Sequence, residues 1–498
     1  MIILDGYDKR FVKKSFQFWL CIILGAILSI LVTAYSAYAG LKIGGVYWPI
    51  LATSVTSLAI LKISGKKDAN LANIMQTAGN TGGMVAAGII FTIPAAWMLG
   101  IEFTYIQITL IALIGSLLGL LFSLPLRKNL LHLPYPDGTA AAVVLQSSQE
   151  STDKIKILLY SLLTGGVVAY LRDGMLLLRL SFIGLAGGFL IGGLFTGVWF
   201  FGAMVSYFVL SGVDRIALTN AGIGIIIGTA LAYIFTDVLP LLKTLAKGWR
   251  RGYLGLIFVA IVLIASFTHV SLVITVFAIG GAFLMASVAG FVTGQLNIDP
   301  MEIFAIIVLL AVKFLLPADF SQLVTLAAIV TLAAGTAGDV MQDYKTGSLL
   351  NTPYQWQTVA QIAGSLTASL VIGLIIIAIA KTSGFGNAQF PAPQATAIAA
   401  IVKTQTVPPS MLIGIVLGGL AAVGLSFFKL GLAPIVFGIG MYVPFSLSLS
   451  LFLGGAIRLW SDYKKRTETN RLIAAGLIAG ESLVGVLLTL ISFVKNLL

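Results

Sequence analysis

Unbroken apolar runs recur along this chain from Phe16 to Val494, each about as long as the ~20 residues that cross a hydrocarbon core. Short polar connections separate them. An unpaired backbone N–H or C=O is costly in lipid, so a spanning segment must be a helix or part of a closed barrel. The runs are continuous and lack the short alternating segments of a barrel, and therefore predict helices. Hydropathy places them near 16–40, 46–63, 84–100, 103–124, 155–171, 181–211, 216–239 and 253–296. They continue near 300–316, 320–336, 358–380, 408–428, 434–457 and 470–496. The runs 181–211 and 253–296 are each long enough for two helices, or a helix and a half-helix. The expected fold is an all-α polytopic membrane protein, with about 14–16 transmembrane helices and half-helices in two pseudo-symmetric halves.

Four polar interruptions stand out against this background. Gln76–Gly83 mixes amide and hydroxyl side chains with three glycines. Leu133–Ser148 opens with Pro134 and Pro136, which bar helix, so that Asp137 or Thr139 can cap the apolar helix that follows. Whether Asp137 serves as cap or as ligand contact stays open at this level. Gly338–Asn351 reads either as a solvated loop or as a broken helix lining a cavity, since irregular backbone is tolerated at depth where it lines water or protein. In Gly476–Leu488, Glu481 stands alone in an apolar run; a carboxylate at a helix centre costs about 2.5–3.5 kcal/mol, so it is near an interface, paired, or facing water.

Two of these interruptions resemble each other. NIMQTAGNTGG (73–83) parallels DVMQDYKTGS (339–348), and GAILSILVTAYSAYAG (25–40) loosely parallels GAFLMASVAGFVTG (281–294). The similar offsets predict two homologous halves, 1–250 and 251–498, as in secondary transporters whose substrate sits at the repeat interface.

Composition narrows the class. The chain is 58% hydrophobic and only 10% charged, against about 25% charged in a soluble domain. A net charge of +12 does not point to nucleic acid, because the basic residues cluster in short connections: Lys9–Lys14, Lys62–Lys67, Lys243–Arg251 and Lys464–Arg471. That is the distribution of cytoplasmic loops. Placing both the Met1 end and the Lys243–Arg251 connection in the cytoplasm gives the first half an even number of crossings, and hence parallel repeats. One cysteine, Cys21, excludes an internal disulfide, and two histidines are too few to build a zinc centre. No cofactor is expected. The HExxH, GxSxG and GxxxxGK[ST] motifs are absent, which argues against an enzyme and against ATP-driven transport.

PYPDGTAAAVVL resembles the PYP(E/S)GTA signature of the oligopeptide transporter superfamily, which includes yellow-stripe-like metal-chelate carriers. Gln342-Asp343-Tyr344-Lys345-Thr346-Gly347 resembles its QD(L/F)KTG motif. AAGIIFTIPA (86–95), GIGMYVPFSLSLSLFLGG (438–455) and GLIAGESLVGVLL (476–488) also look familiar, and all five follow in family order along the whole chain. The resemblance implies a prokaryotic, proton-coupled symporter of the cell membrane that imports short oligopeptides or peptide-like metal chelates. A passive channel or facilitator is the alternative. The expected substrate or proton site comprises Gln76, Asn80, Thr81, Tyr135, Asp137, Thr139, Gln342, Asp343, Lys345 and Thr346, with Tyr442 and Glu481 nearby. Lys345 is expected either to hold the substrate's carboxylate or to neutralise Asp343. Asn80 and Val143 stand where bacterial members often carry glutamate, which shifts any coupling onto Asp137, Asp339, Asp343 or Glu481. Assembly into a homo-oligomer is left open.

Overall fold

A computed structural model describes all residues except 1–14, 47–48, 66–67, 147–150, 175–181, 234, 237–250, 269, 297–298, 300, 404–406, 429, 432 and 498. The basic residues Lys9, Arg10, Lys13, Lys14, Lys66, Lys67, Lys243, Lys247 and Arg250 therefore lie outside the described residues, as does the expected junction of the halves.

The described residues form helices and no strand. The first ten helices are α1 (Ser15–Ile43), α2 (Pro49–Ile63), α3 (Ala69–Ile90), α4 (Pro94–Met98), α5 (Tyr105–Leu130), α6 (Pro136–Gln146), α7 (Ser151–Gly174), α8 (Phe182–Ile191), α9 (Gly193–Met204) and α10 (Arg215–Tyr233). Then come α11 (Arg251–Phe267), α12 (Leu272–Leu296), α13 (Met301–Leu315), α14 (Phe320–Leu350), α15 (Tyr354–Thr382), α16 (Pro393–Lys403), α17 (Pro409–Ser426), α18 (Ala433–Tyr442), α19 (Phe445–Tyr463) and α20 (Thr467–Leu497). Among the described residues, 8 helical stretches are long and apolar enough to cross a membrane. The protein is an all-α polytopic membrane protein, as its hydropathy pattern predicts. The two over-long runs resolve into pairs. Gly192, at φ 101°, separates α8 from α9, and α11 ends before α12 begins.

Two of the expected helix breaks are not breaks. Gln76–Gly83 lies inside α3, and Gln342–Gly347 lies inside α14, which runs unbroken for 31 residues. The helices start earlier or end later than hydropathy suggested because their caps sit in polar sequence. Asp68 accepts N–H bonds from Asn70 and Leu71 at the start of α3. Asp319 and Gln322 form a reciprocal capping box on α14, which ends on left-handed Asn351. The polar side chains in both helices pair with one another across the interface, so the backbone has no need to unwind. Window by window α14 is the most enclosed spanning stretch, 100% buried, and it forms the centre of the bundle.

The two polar helices run antiparallel. Gln76 meets Asp343, Asn80 meets Asp339, and farther along Gly88 abuts Leu332. The two segments that match in sequence therefore cross in opposite directions. On the other side of α3, Gly82 lets α1 approach so closely that a Cβ there would strike the Ser29 carbonyl.

The 133–136 break is real, and it has a counterpart at 390–393. LPYPDGTA (133–140) and FPAPQATA (390–397) fold alike. Tyr135 and Ala392 adopt φ of 43° and 42°, unusual for residues with a Cβ. Tyr135 N–H donates to the Gly294 carbonyl at 2.9 Å, and Ala392 N–H donates to the Leu41 carbonyl at 2.9 Å. Thr139 and Thr396 hydroxyls donate back to the carbonyls of Pro134 and Pro391 at 2.8 and 3.0 Å. Each loop opens a helix of 11 residues, α6 and α16, with proline in its first turn. Over the described residues each spans about half of what a crossing requires, the length of a half-helix.

Candidate functional site

A cavity of about 320 Å³ lies where these elements converge. The end of α1 and the following turn (Gly44–Val46), the N-termini of α6 (Asp137) and α16 (Gln394), and the middle of α3 and α14 (Asn80, Asp339, Gln342) all face it. Asp299 and Glu302 line it from the connection into α13, and Arg458 and Arg471 line it from α19 and α20. The remaining wall is apolar, including Met84, Phe91, Trp199 and Ile439. An apolar enclosure with a few convergent charged groups is the usual make-up of a small-molecule site.

Behind this wall lies a second, fully buried layer. Asp343 is fully buried, with the Gln76 Nε2 donating to Oδ1 at 2.7 Å and the Gln361 Nε2 donating to Oδ2. Gln361 in turn accepts from the Thr81 hydroxyl at 2.6 Å, and Gln357 donates to the Asp343 carbonyl at 2.6 Å. Two amide donors thus stabilise the carboxylate where a cation would otherwise be needed, since a buried charge is tolerated only when hydrogen-bonded or paired. One turn away, the Asn80 Nδ2 donates to Asp339 Oδ1 at 2.6 Å, and this pair borders the cavity.

Of the residues singled out from sequence, Asn80, Asp137 and Gln342 line the cavity, and Gln76, Thr81 and Asp343 form the layer behind it. Gln342 also accepts the Gly138 N–H at 2.7 Å, and Thr346 donates to the Gly138 carbonyl at 2.8 Å, clamping α6 onto α14. A Cβ at Gly138 would collide with the Gln342 carbonyl, so this contact requires glycine. Tyr135 and Thr139 shape the loop itself, the Tyr135 hydroxyl donating to the Gly290 carbonyl at 2.7 Å.

Three residues fall outside this grouping. The Lys345 ammonium donates to the carbonyls of Leu131 and Leu133 at 3.1 and 2.9 Å, at the end of α5, where a cation suits the helix dipole. Tyr442 is not part of the cavity lining. Glu481 is buried near the middle of α20 and accepts the N–H of Phe182 in α8 at 2.7 Å. Val143 is exposed on α6.

Sequence reading passed over Asp299, Glu302, Gln361, Gln394, Arg458 and Arg471. Two signals were available. The acidic pair in NIDPMEIF interrupts an apolar stretch, and PAPQATA echoes PYPDGTA. The arginines carried no signal, because they resemble connection charges.

Taken together, the fold and site define a multi-pass helical membrane protein with a charged cavity where its short helices converge. The chain belongs to the OPT oligopeptide transporter family, whose model matches residues 19–254 and 243–492. It is 26% identical to a Haemophilus influenzae protein named as an oligopeptide transporter, over 91% of this chain and 92% of that one. A Saccharomyces cerevisiae protein, also named as an oligopeptide transporter, is 25% identical over 43% of this chain and 34% of its own length.

Proposed function

We propose that the protein imports short peptides across the cell membrane by alternating access, with the cavity at Asp339 as the substrate site and protons as the co-ion. The observation that carries this reading is the cavity itself, at the meeting of two short helices whose opening loops fold alike and lean on opposite parts of the chain. The antiparallel crossing of α3 and α14 supports an inverted repeat, in which either face opens by rocking one half against the other. The site residues Asn80, Asp137, Gln342 and Asp339 contact the substrate in this reading, while Gln76, Thr81 and Asp343 hold the two central helices together.

Charge balance supports the coupling. Asp299, Glu302 and Asp339 all face the cavity, and a peptide ammonium neutralises one of them. A proton entering with the peptide neutralises another, which lowers the cost of closing the site around unpaired charge. The family description favours peptides over the metal chelates implied by the yellow-stripe-like resemblance.

The test is uptake of labelled trialanine into proteoliposomes. Saturable uptake with counterflow, accelerated by an inward acid gradient, is the expected result. Glu302→Gln and Asp339→Asn each weaken the gradient's effect. Uptake that ignores the gradient removes proton coupling, and non-saturable flux without counterflow replaces the carrier with a channel. A peptide chelate of ferric or cupric ion that outcompetes trialanine reverses the order of cargoes.

A further inference from the structure

The cavity lining carries both acidic and basic side chains. Asp299 presses its carboxylate against Gly338, the residue beside Asp339, and lies within electrostatic reach of Glu302 and Asp339. Asp339 is 7% exposed; its Oδ1 is taken by Asn80, whereas its Oδ2 has no hydrogen-bond partner among the described residues. The Asn80 Oδ1, 1% exposed, is likewise without a partner among them. Both atoms are buried and belong to side chains that line the same cavity. Unsatisfied buried acceptors of this kind are costly, and a ligand with several N–H donors relieves them.

The basic side of the lining is built from the turn between α19 and α20. Arg458 donates from Nε to Asp462 at 2.9 Å and from Nη1 to the Phe189 carbonyl at 3.4 Å. A guanidinium has five N–H donors in a planar fork, so donors remain beyond these two. Arg471 lies within electrostatic reach of Arg458, Asp462 and Asp137. Asp137 lies within electrostatic reach of both Asp339 and Arg471.

The geometry points to a two-ended subsite: the peptide's ammonium is held by Asp339, Asn80 and Asp299, and its terminal carboxylate by Arg458 and Arg471. This rests on the peptide-transport reading and adds an orientation and a requirement to it. Both termini must be free. An ammonium supplies three donors to the three acceptor side chains, and the carboxylate suits the fork of an arginine. The peptide backbone then spans the apolar middle, where side chains of different size meet Met84, Phe91 and Ile439. The site thereby selects for termini and is permissive in sequence.

Isothermal titration of the detergent-purified full chain with trialanine, N-acetyl-trialanine and trialanine amide tests the assignment. In the wild type each blocked peptide binds at least about tenfold more weakly than trialanine, since each leaves a buried charge unpaired. In Asp339→Asn the acetyl penalty shrinks to about twofold or less while the amide penalty persists, and Arg458→Gln gives the converse. Blocked peptides that bind the wild type as well as trialanine overturn the proposal without reference to any variant. Equal shrinkage of both penalties in both variants, or the reversed pattern, overturns the orientation. Failure of trialanine and of both its derivatives to bind the folded wild type sinks the peptide reading itself, a different result from loss of terminus selectivity.

Discussion

The Gln76–Asp343 hydrogen bond offers a direct measure of how this protein keeps a carboxylate in its centre. Gln76→Met removes the Nε2 donor and preserves the length of the side chain. A hydrogen bond to a charged group is worth about 1.5–3 kcal/mol. The substitution also removes the Gln76 Oε1, a buried acceptor without a partner among the described residues, and relief of that atom returns about 1 kcal/mol. The single variant is therefore expected to lose ~0.5–2 kcal/mol. Asp343→Asn keeps the shape but sets an NH2 against an amide donor, from Gln76 or Gln361, at a cost of ~1–3 kcal/mol. With Met at 76 that clash is removed on one side, so the double variant is less damaged than the sum by ~1–2 kcal/mol. Reversible unfolding in mixed detergent micelles, carried out on all four proteins, yields the coupling energy. Additivity within about 0.3 kcal/mol would refute the claim that this amide sustains the buried charge.

Other substitutions separate framework from site. Gly138→Ala places a methyl against the Gln342 carbonyl; it should cost ~1–3 kcal/mol of stability and abolish uptake, and a variant that melts and transports like wild type contradicts the close α6–α14 contact. Tyr135→Phe removes the donor to Gly290 and is expected to lower stability by ~1 kcal/mol, read by the same unfolding assay. Lys345→Met should lower the melting temperature yet leave trialanine affinity within about twofold, because its ammonium serves the end of α5; a large loss of affinity in the calorimeter would return it to the substrate site. Glu481→Gln retains an acceptor for the Phe182 N–H, so acid-driven uptake should persist, and its disappearance would bring Glu481 into the coupling machinery.

Sequence alone determined the class of this protein. Twenty-residue apolar runs in a chain with 10% charged residues leave helices across a bilayer as the solution, since lipid offers no partner to a free N–H. It also located the polar segments, because a glutamine or aspartate at membrane depth is expensive enough to need a reason. Sequence could not determine what those segments do to the backbone. Gln342–Gly347 looked like a break, yet α14 passes straight through it, because Gln76, Gln361 and Gly138 supply from other elements the partners that unwinding would otherwise provide. Tertiary structure likewise brought the Lys345 ammonium to the Leu131 and Leu133 carbonyls and Glu481 to the Phe182 N–H. It brought Arg458 and Arg471 to the same cavity as Asp299 and Asp339, residues 119 or more positions away along the chain. Hydropathy is a local sum along one segment, whereas the pairing of buried charges depends on which segments cross and at what height. Only the folded bundle specifies that.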